Sequence, residues 1–191
     1  MKKLLSIAGA FIVLTAFTTI DGIWKNDPPH SQLGFTVSHL GINDISGTFN
    51  DFEVTVKASK PNFSDASFVM EAKTASINTR IADRDHHLKT ADFFDVEKYP
   101  TLKFTSTGIK SLGKNKYKLT GKLTLHGVTK LETLDLVYRG TAENPMNKKE
   151  TTGFQVSGMI KRSDYGIGEK FPAPMLSNEV RIKADGEFLK N

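Results

Sequence analysis

Between Ser76 and Pro100 the chain reads SINTRIADRDHHLKTADFFDVEKYP, gathering side chains able to do polar chemistry: Arg80, Asp83, Arg84, Asp85, His86, His87 and Lys89. Guanidinium, imidazole and ammonium groups this close together can donate hydrogen bonds to an oxygen-bearing group or pair with the carboxylates between them. Arg84 and Asp85 equally suit local ion pairs or a helix cap, which contribute little where exposed. The run Asp83-x-Asp85-His86-His87 invites a metal reading. Adjacent histidines point different ways on a helix, however, and Asp83 with His87 at i,i+4 supplies only two ligands, so no metal site is assigned. His39 and His126 fall on or beside strand-like segments, where a hydrogen-bonded structural role competes with a catalytic one. In Lys161-Arg162-Ser163-Asp164-Tyr165-Gly166, Ser163 and Asp164 can close a turn, leaving Arg162 to reach Asp92 or Asp95 by bidentate pairing and tie that turn to the insert. The chain carries no G-x-S-x-G, no H-E-x-x-H, no P-loop and no cysteine. No catalytic residue and no cofactor are implied.

These residues must be held by the segments around them, and those segments alternate. Leu33, Phe35, Val37 and His39 precede the insert, and Tyr117, Leu119, Leu123 and Leu125 follow it, each set spaced to share one face of a strand. Eight strand-like segments fall near 33–39, 47–57, 66–76, 101–108, 116–126, 131–139, 152–162 and 178–188, with turn signals such as Gly41-Ile42-Asn43-Asp44 and Leu112-Gly113-Lys114-Asn115 between them. Short connections make sequence neighbours antiparallel. A phase shift is expected between Phe49 and Phe52, since both read as inward. Within the insert, Ile81, Leu88 and Phe94 recur at roughly helical spacing, which predicts a short helix in Arg80 to Phe94 lying across one end of a barrel. The predicted fold is all-β: about eight antiparallel strands forming a barrel or a sandwich, with a short helical insert.

Composition fits one domain. Of 191 residues, 38% are hydrophobic, enough for a sizeable core, and the absence of cysteine leaves packing and backbone pairing to hold it. Residues 1–20, with Lys2 and Lys3 ahead of an apolar run from Leu4 to about Phe17, read as a secretory signal. The expected domain is therefore residues 21–191, periplasmic or otherwise exported, with no stable membrane span once the signal is removed. Without Lys2 and Lys3, 24 basic residues face 21 acidic ones, and the basic residues are scattered, which argues against nucleic acid as a partner. The basic run Lys110 to Lys118 reads as a solvated hairpin.

Thirteen phenylalanines against four tyrosines and one tryptophan provide bulky walls without polar tips. In the alternation Phe35, Phe49, Phe68, Phe104 and Phe154 point inward. They either fill a core or line a tunnel, and periodicity alone leaves both open, because eight strands enclose an interior that is just filled or holds one small ligand.

The ordered set His30-Ser31-x-Leu33-x-Phe35-x-Val37-x-His39-Leu40-Gly41, Gly47-x-Phe49, Ser76-Ile77-Asn78-Thr79, Arg84-Asp85-x-His87-Leu88-Lys89, Asp92-Phe93-Phe94-Asp95, Tyr99-Pro100, Gly121-x-Leu123-Thr124-x-His126-Gly127-Val128-Thr129 and Arg162-Ser163-Asp164-Tyr165-Gly166 resembles the YceI-like family across nearly the whole of residues 21–191. The resemblance implies an all-β, exported protein, an extended eight-stranded antiparallel lipocalin-like barrel with a short helical insert, that binds a polyisoprenoid, isoprenoid quinone or fatty-acyl lipid without catalysis, and in which homodimers are common. On that basis the apolar tunnel is expected to use Phe35, Val37, Phe49, Phe68, Met70, Phe104, Leu123, Tyr138 and Phe154. A polar head group at the mouth would need donors, for which the insert offers Arg80, Arg84 and His87. Two other readings stand beside this one: a structural or stress-response interaction protein with a packed barrel, and an enzyme acting on a lipid.

Overall fold

Alternation of apolar and polar residues commits most of this chain to strands, and in the computed structural model, which describes residues 22–191, those strands close on themselves. They are β1 (Gly22–His39), β2 (Asn43–Phe49), β3 (Phe52–Ala58), β4 (Ser67–Lys73), β5 (Ile77–Asn78), β6 (Thr101–Gly113), β7 (Lys116–Leu125), β8 (Val128–Glu143), β9 (Glu150–Lys161) and β10 (Leu176–Lys190), with one α-helix, α1 (Ala82–Lys89), after β5. The expected signal segment, residues 1–20, lies outside the described residues.

All pairings are antiparallel, and β10 returns to β1 to close the ring. The ten pieces occupy eight wall positions. β1 pairs with β3 at its beginning and with β2 further along, and β5 continues β4 by pairing with β2. Each of these walls is thus one long strand broken once. The β2–β3 break at Asn50-Asp51 lets Phe49 and Phe52, three residues apart, both face inward, as the phase shift requires.

Several boundaries differ from the sequence reading, two of them for a clear local reason. The first strand begins at Gly22 rather than near residue 33, because Asp27-Pro28-Pro29-His30 interrupts a strand instead of preceding one. The β1–β10 register shifts between Asn26 and Ser31, and the prolines sit in that bulge, where a missing N–H breaks no ladder bond. The helix spans only Ala82–Lys89. Arg80 just ahead of it has φ 70°, and after Lys89 the Phe93 and Asp95 amides turn back to the Thr90 carbonyl. Asp83 and Asp85 in its first turn and His86, His87 and Lys89 in its last match the helix dipole.

The interior divides into two halves of different character. Below, Trp24, Val56, Phe68, Phe104, Tyr117, Leu119, Leu136, Phe154 and Phe188 are all buried in one cluster. The β3–β4 loop inserts Phe63 into it, with ring centroids 5.0 Å from Trp24, 4.9 Å from Tyr138 and 5.0 Å from Phe154. Tyr117 donates its hydroxyl to the Asn62 carbonyl and anchors this plug. Above, a second cluster around Phe49, Ile77, Phe93 and Tyr165 is ringed by inward side chains that remain only half-buried, among them Leu33, Phe35, Met70, Leu123, Val180 and Ile182. Facing inward yet still accessible, they border a void.

Candidate functional site: an apolar cavity beneath the helix

That void is a cavity of about 560 Å³. Of the residues expected to line a tunnel, Phe35, Val37, Met70 and Leu123 form its walls, Phe49 stands under the helix end, and Phe68, Phe104 and Phe154 make the boundary with the packed half. Tyr138 lies elsewhere. It faces inward as alternation requires, but at the level of the Phe63 plug, 4.9 Å from that ring, with its hydroxyl on Thr141 Oγ1 at 2.8 Å. Alternation assigns a face and leaves the depth along the barrel open. The Phe35 ring lies against the opposite strand at Gly47, where a Cβ would come within 2.5 Å of it. Glycine there lets a phenyl group stand flat on the wall rather than cross the void.

Two segments cover the mouth. The first is α1 with the turns after it, from which Leu88, Phe93 and Phe94 reach the cavity. The second is the loop between β9 and β10, which contributes Phe171, Met175 and Leu176. Phe93 and Phe171 stack at 5.0 Å with their planes 14° apart, and His87 meets both rings edge-on. Polar links reinforce this contact: the Gly168 amide donates to the Asp92 carbonyl at 3.1 Å, and Lys170 Nζ lies 2.6 Å from Asp92 Oδ1. Lys170 and, secondarily, His87 hold the Asp92 carboxyl below the usual carboxylate range. Gly168 has φ 64°, and a Cβ there would meet the Phe93 ring at 2.8 Å, so the loop can pass this close only with glycine.

Arg162 is the post on which the loop hangs. The sequence suggested a bidentate pair with Asp92 or Asp95, and the structure replaces both partners. The guanidinium, 7% exposed, donates to the carbonyls of Ile167, Gly168, Phe171, Leu176 and Ser177, using all five of its N–H groups. Burial pushes its pKa down, and carbonyl dipoles rather than a carboxylate surround the charge. The strand end at Lys161 aims the side chain under its own following loop, away from the insert. Beside it Tyr165, fully buried, donates to Glu132 Oε1 at 2.7 Å; burial first, and then that bond, drives its phenol well above the usual range. His126 Nδ1 donates to the Tyr165 carbonyl at 2.9 Å and packs on Tyr99, a structural role. Ser163 and Asp164 close no turn by their side chains; the Ser163 amide instead donates to Asn178 Oδ1.

Of the three residues expected at the mouth, the structure brings Arg84 and His87 to the cavity and leaves Arg80 outside. Arg80 points to solvent because its left-handed φ is stabilised by an Asx-type bond from its own amide to Asn78 Oδ1. Arg84 is tethered by Nε to Thr79 Oγ1 and by Nη2 to the Thr79 carbonyl, both at 2.8 Å, and Asp85 in turn accepts the Thr79 amide at 2.7 Å. Among the described residues Arg84 has no carboxylate partner, and its Nη1 donates to nothing. It is a fixed, unneutralised guanidinium at the mouth of an apolar cavity. His87, half-committed to Asp92 at 3.3 Å, stands beside it.

Sequence reasoning missed Phe171, Met175 and Leu176 of the connection into β10 and the residues Asn26 and Glu132, all of which line the cavity. For the loop a signal existed: Phe171, Met175 and Leu176 are large apolar residues inside a Gly- and Pro-containing segment between strands, unusual for a solvated turn. Among the described residues one group, Asp27, His30 and Glu187, brings three possible metal-ligand atoms within 4.8 Å. It sits on the outer side of the break in β1, away from Asp83 and His87.

Comparison with known proteins places these features in a family. The family model for the YceI-like domain matches residues 24–188. A UPF0312 protein of Photorhabdus laumondii is 38% identical over 97% of this chain and 96% of its own, and one from Staphylococcus aureus is 35% identical over 85% and 94%. Among solved structures, a Campylobacter jejuni YceI protein superposes with a TM-score of 0.73 at 32% identity, covering 81% of this chain and 90% of its own. BcnA of Burkholderia cenocepacia does so with 0.74 at 27%, covering 85% and 98%. A polyisoprenoid-binding domain from Saccharophagus degradans, at 15% identity and a TM-score of 0.67 over 90% of this chain and 99% of that one, shares the fold.

Proposed function

The chain belongs to the YceI-like family, and from that premise and the hollow upper barrel we propose that it binds a long-chain amphiphilic lipid, a polyisoprenoid, isoprenoid quinone or fatty-acyl compound, and stores or carries it without altering it. The observation that carries this reading is the row of half-buried apolar side chains turned into the cavity of about 560 Å³. An ordinary core would close over them, since interiors pack to crystal density. A hydrocarbon tail gains what the void lacks. Each CH₂ withdrawn from water contributes about 0.8 kcal/mol, so one five-carbon prenyl unit contributes about 4 kcal/mol. The fold of the Saccharophagus polyisoprenoid-binding domain supports the same class of ligand. Arg84, with an uncommitted Nη1, suits an anionic or polar head group at the mouth. Export behind a cleaved signal at residues 1–20, and homodimer formation, complete the proposal.

The packed-barrel alternative accounts for the lower half but gives no reason for the upper one. The test is organic extraction and mass spectrometry of protein purified under mild conditions from its native compartment. One stoichiometric prenyl or acyl compound is the expected result. An empty protein that also refuses added quinones, prenyl phosphates and fatty acids would return the barrel to a structural role.

A further inference from the structure

Low in the cavity, beside the Phe188 ring, a few polar side chains, those of Asn26, Ser31, Gln32 and Asp185, interrupt the apolar surface. Asn26 lies on β1 immediately before the bulge, and its Oδ1 accepts the Val54 amide at 2.7 Å. That bond fixes the orientation of the side chain, because a backbone N–H can only donate and the oxygen must therefore face β3. Nδ2 is left on the other side, fully buried and without a hydrogen-bond partner, and Asn26 lines the cavity. Across the bulge Ser31 also borders the cavity, its hydroxyl reaching only a long 3.4 Å contact to the Glu187 carbonyl. A buried donor left unpaired is disfavoured enough that native interiors rarely keep one.

We propose that Asn26 Nδ2 is a ligand-binding group: it donates to an uncharged oxygen, a carbonyl in the first instance, on the end of the lipid that enters first. This rests on the lipid-binding reading and narrows it. A phosphate or carboxylate is disfavoured in that place, since the one charged side chain bordering the cavity there is the carboxylate of Asp185, and moving a second negative charge beside it carries a large desolvation cost. Charged heads stay at the mouth with Arg84, whereas neutral acceptors such as quinone carbonyls go in head-first and meet Asn26. The cavity then distinguishes two lipid classes by the end from which each enters.

Affinities for three probes decide the matter: a prenylated benzoquinone, squalene as the oxygen-free isoprenoid, and a prenyl phosphate of similar length, each measured by displacement of a fluorescent fatty acid. The wild-type protein is expected to prefer the quinone over squalene by about tenfold or more, the effect of one hydrogen bond to an otherwise unpaired buried donor. Asn26→Leu, nearly isosteric, removes the donor, and circular dichroism checks that the fold survives the loss of the acceptor for the Val54 amide. The variant should abolish the quinone preference and leave prenyl phosphate binding within about twofold, while Arg84→Ala does the reverse. Equal binding of quinone and squalene by wild type would overturn the proposal and leave lipid binding standing, with a water holding Nδ2. Loss of quinone binding in Arg84→Ala but not in Asn26→Leu would also overturn it. Failure of all three probes to bind wild type removes the lipid reading itself. Should Asn26→Leu not fold, the infrared carbonyl stretch of the bound quinone in wild type decides: a shift to lower frequency than in hydrocarbon solvent supports the bond, and an unshifted band refutes it.

Discussion

Replacing Arg162 by methionine should both destabilise the barrel and open its mouth. The guanidinium serves five carbonyls, those of Ile167, Gly168, Phe171, Leu176 and Ser177, and methionine serves none. Each buried acceptor left unpaired costs about 1–3 kcal/mol, so five would sum to roughly 5–15 kcal/mol in a rigid, dry site. Two effects reduce this. The desolvation of the buried charge disappears, worth several kcal/mol, and a loop at the barrel end can admit water. The net expectation is about 3–5 kcal/mol, which for a domain of this size lowers the melting temperature by about 6–20 °C. Arg162→Lys keeps the charge but offers three donors on a flexible stem, so about half the loss should remain. Because Phe171, Met175 and Leu176 cover the cavity from this loop, dissociation of a fluorescent lipid should accelerate by on the order of tenfold for the methionine variant. Thermal melts by circular dichroism and stopped-flow dissociation measure the two effects. A methionine variant melting within about 2 °C of wild type, with unchanged dissociation, would refute the view that this side chain organises the mouth.

Two further outcomes follow from the division of the barrel and from its latch. Leu136→Ala, in the packed half at 1% exposure, should lose about 3–5 kcal/mol in urea unfolding, whereas Phe35→Ala, one face of which already borders the void, should lose about 1–2 kcal/mol yet weaken lipid binding more; equal losses would contradict the two-halves description. The Asp92 carboxyl, its pKa depressed first by Lys170 and then by His87, contributes to closure above its ordinary value near 4 and ceases to do so as pH falls through the lowered value. Lipid dissociation should therefore be flat from pH 7 to about 5 and quicken towards pH 3, and Asp92→Asn should be fast and flat throughout; a wild-type rate that does not change on acidification counts against the latch.

Much of the wall could be read from residue alternation, because a period of two marks which face is inside wherever one face is wet. The eight wall positions and the break between Phe49 and Phe52 have that origin, whereas the antiparallel order follows from the short connections. Alternation carries no information about depth, which is why Tyr138 was grouped with cavity residues although the Phe63 plug surrounds it. Phe63 itself lies in a loop with a left-handed φ, and nothing local says that the loop folds inward. Arg162 was recognised as a linking residue, but its partners are backbone carbonyls, which every residue possesses and no sequence distinguishes. The start of β1 was hidden for the opposite reason: the signal for a break, Pro28-Pro29, was real, and the ladder continues on both sides of it.

A barrel solid below and hollow above is also unevenly compressible. Hydrostatic pressure favours states in which internal voids are eliminated, and the cavity of about 560 Å³ lies in the half covered by the helix and the Phe171 loop. Squeezing should therefore loosen the upper half first, while the strands around Trp24 and Phe154 stay ordered, so that unfolding under pressure passes through a half-melted barrel that heating need not populate. A lipid filling the void would remove that weakness, and the difference in pressure midpoint between loaded and empty protein becomes a measure of how completely the cargo occupies its space.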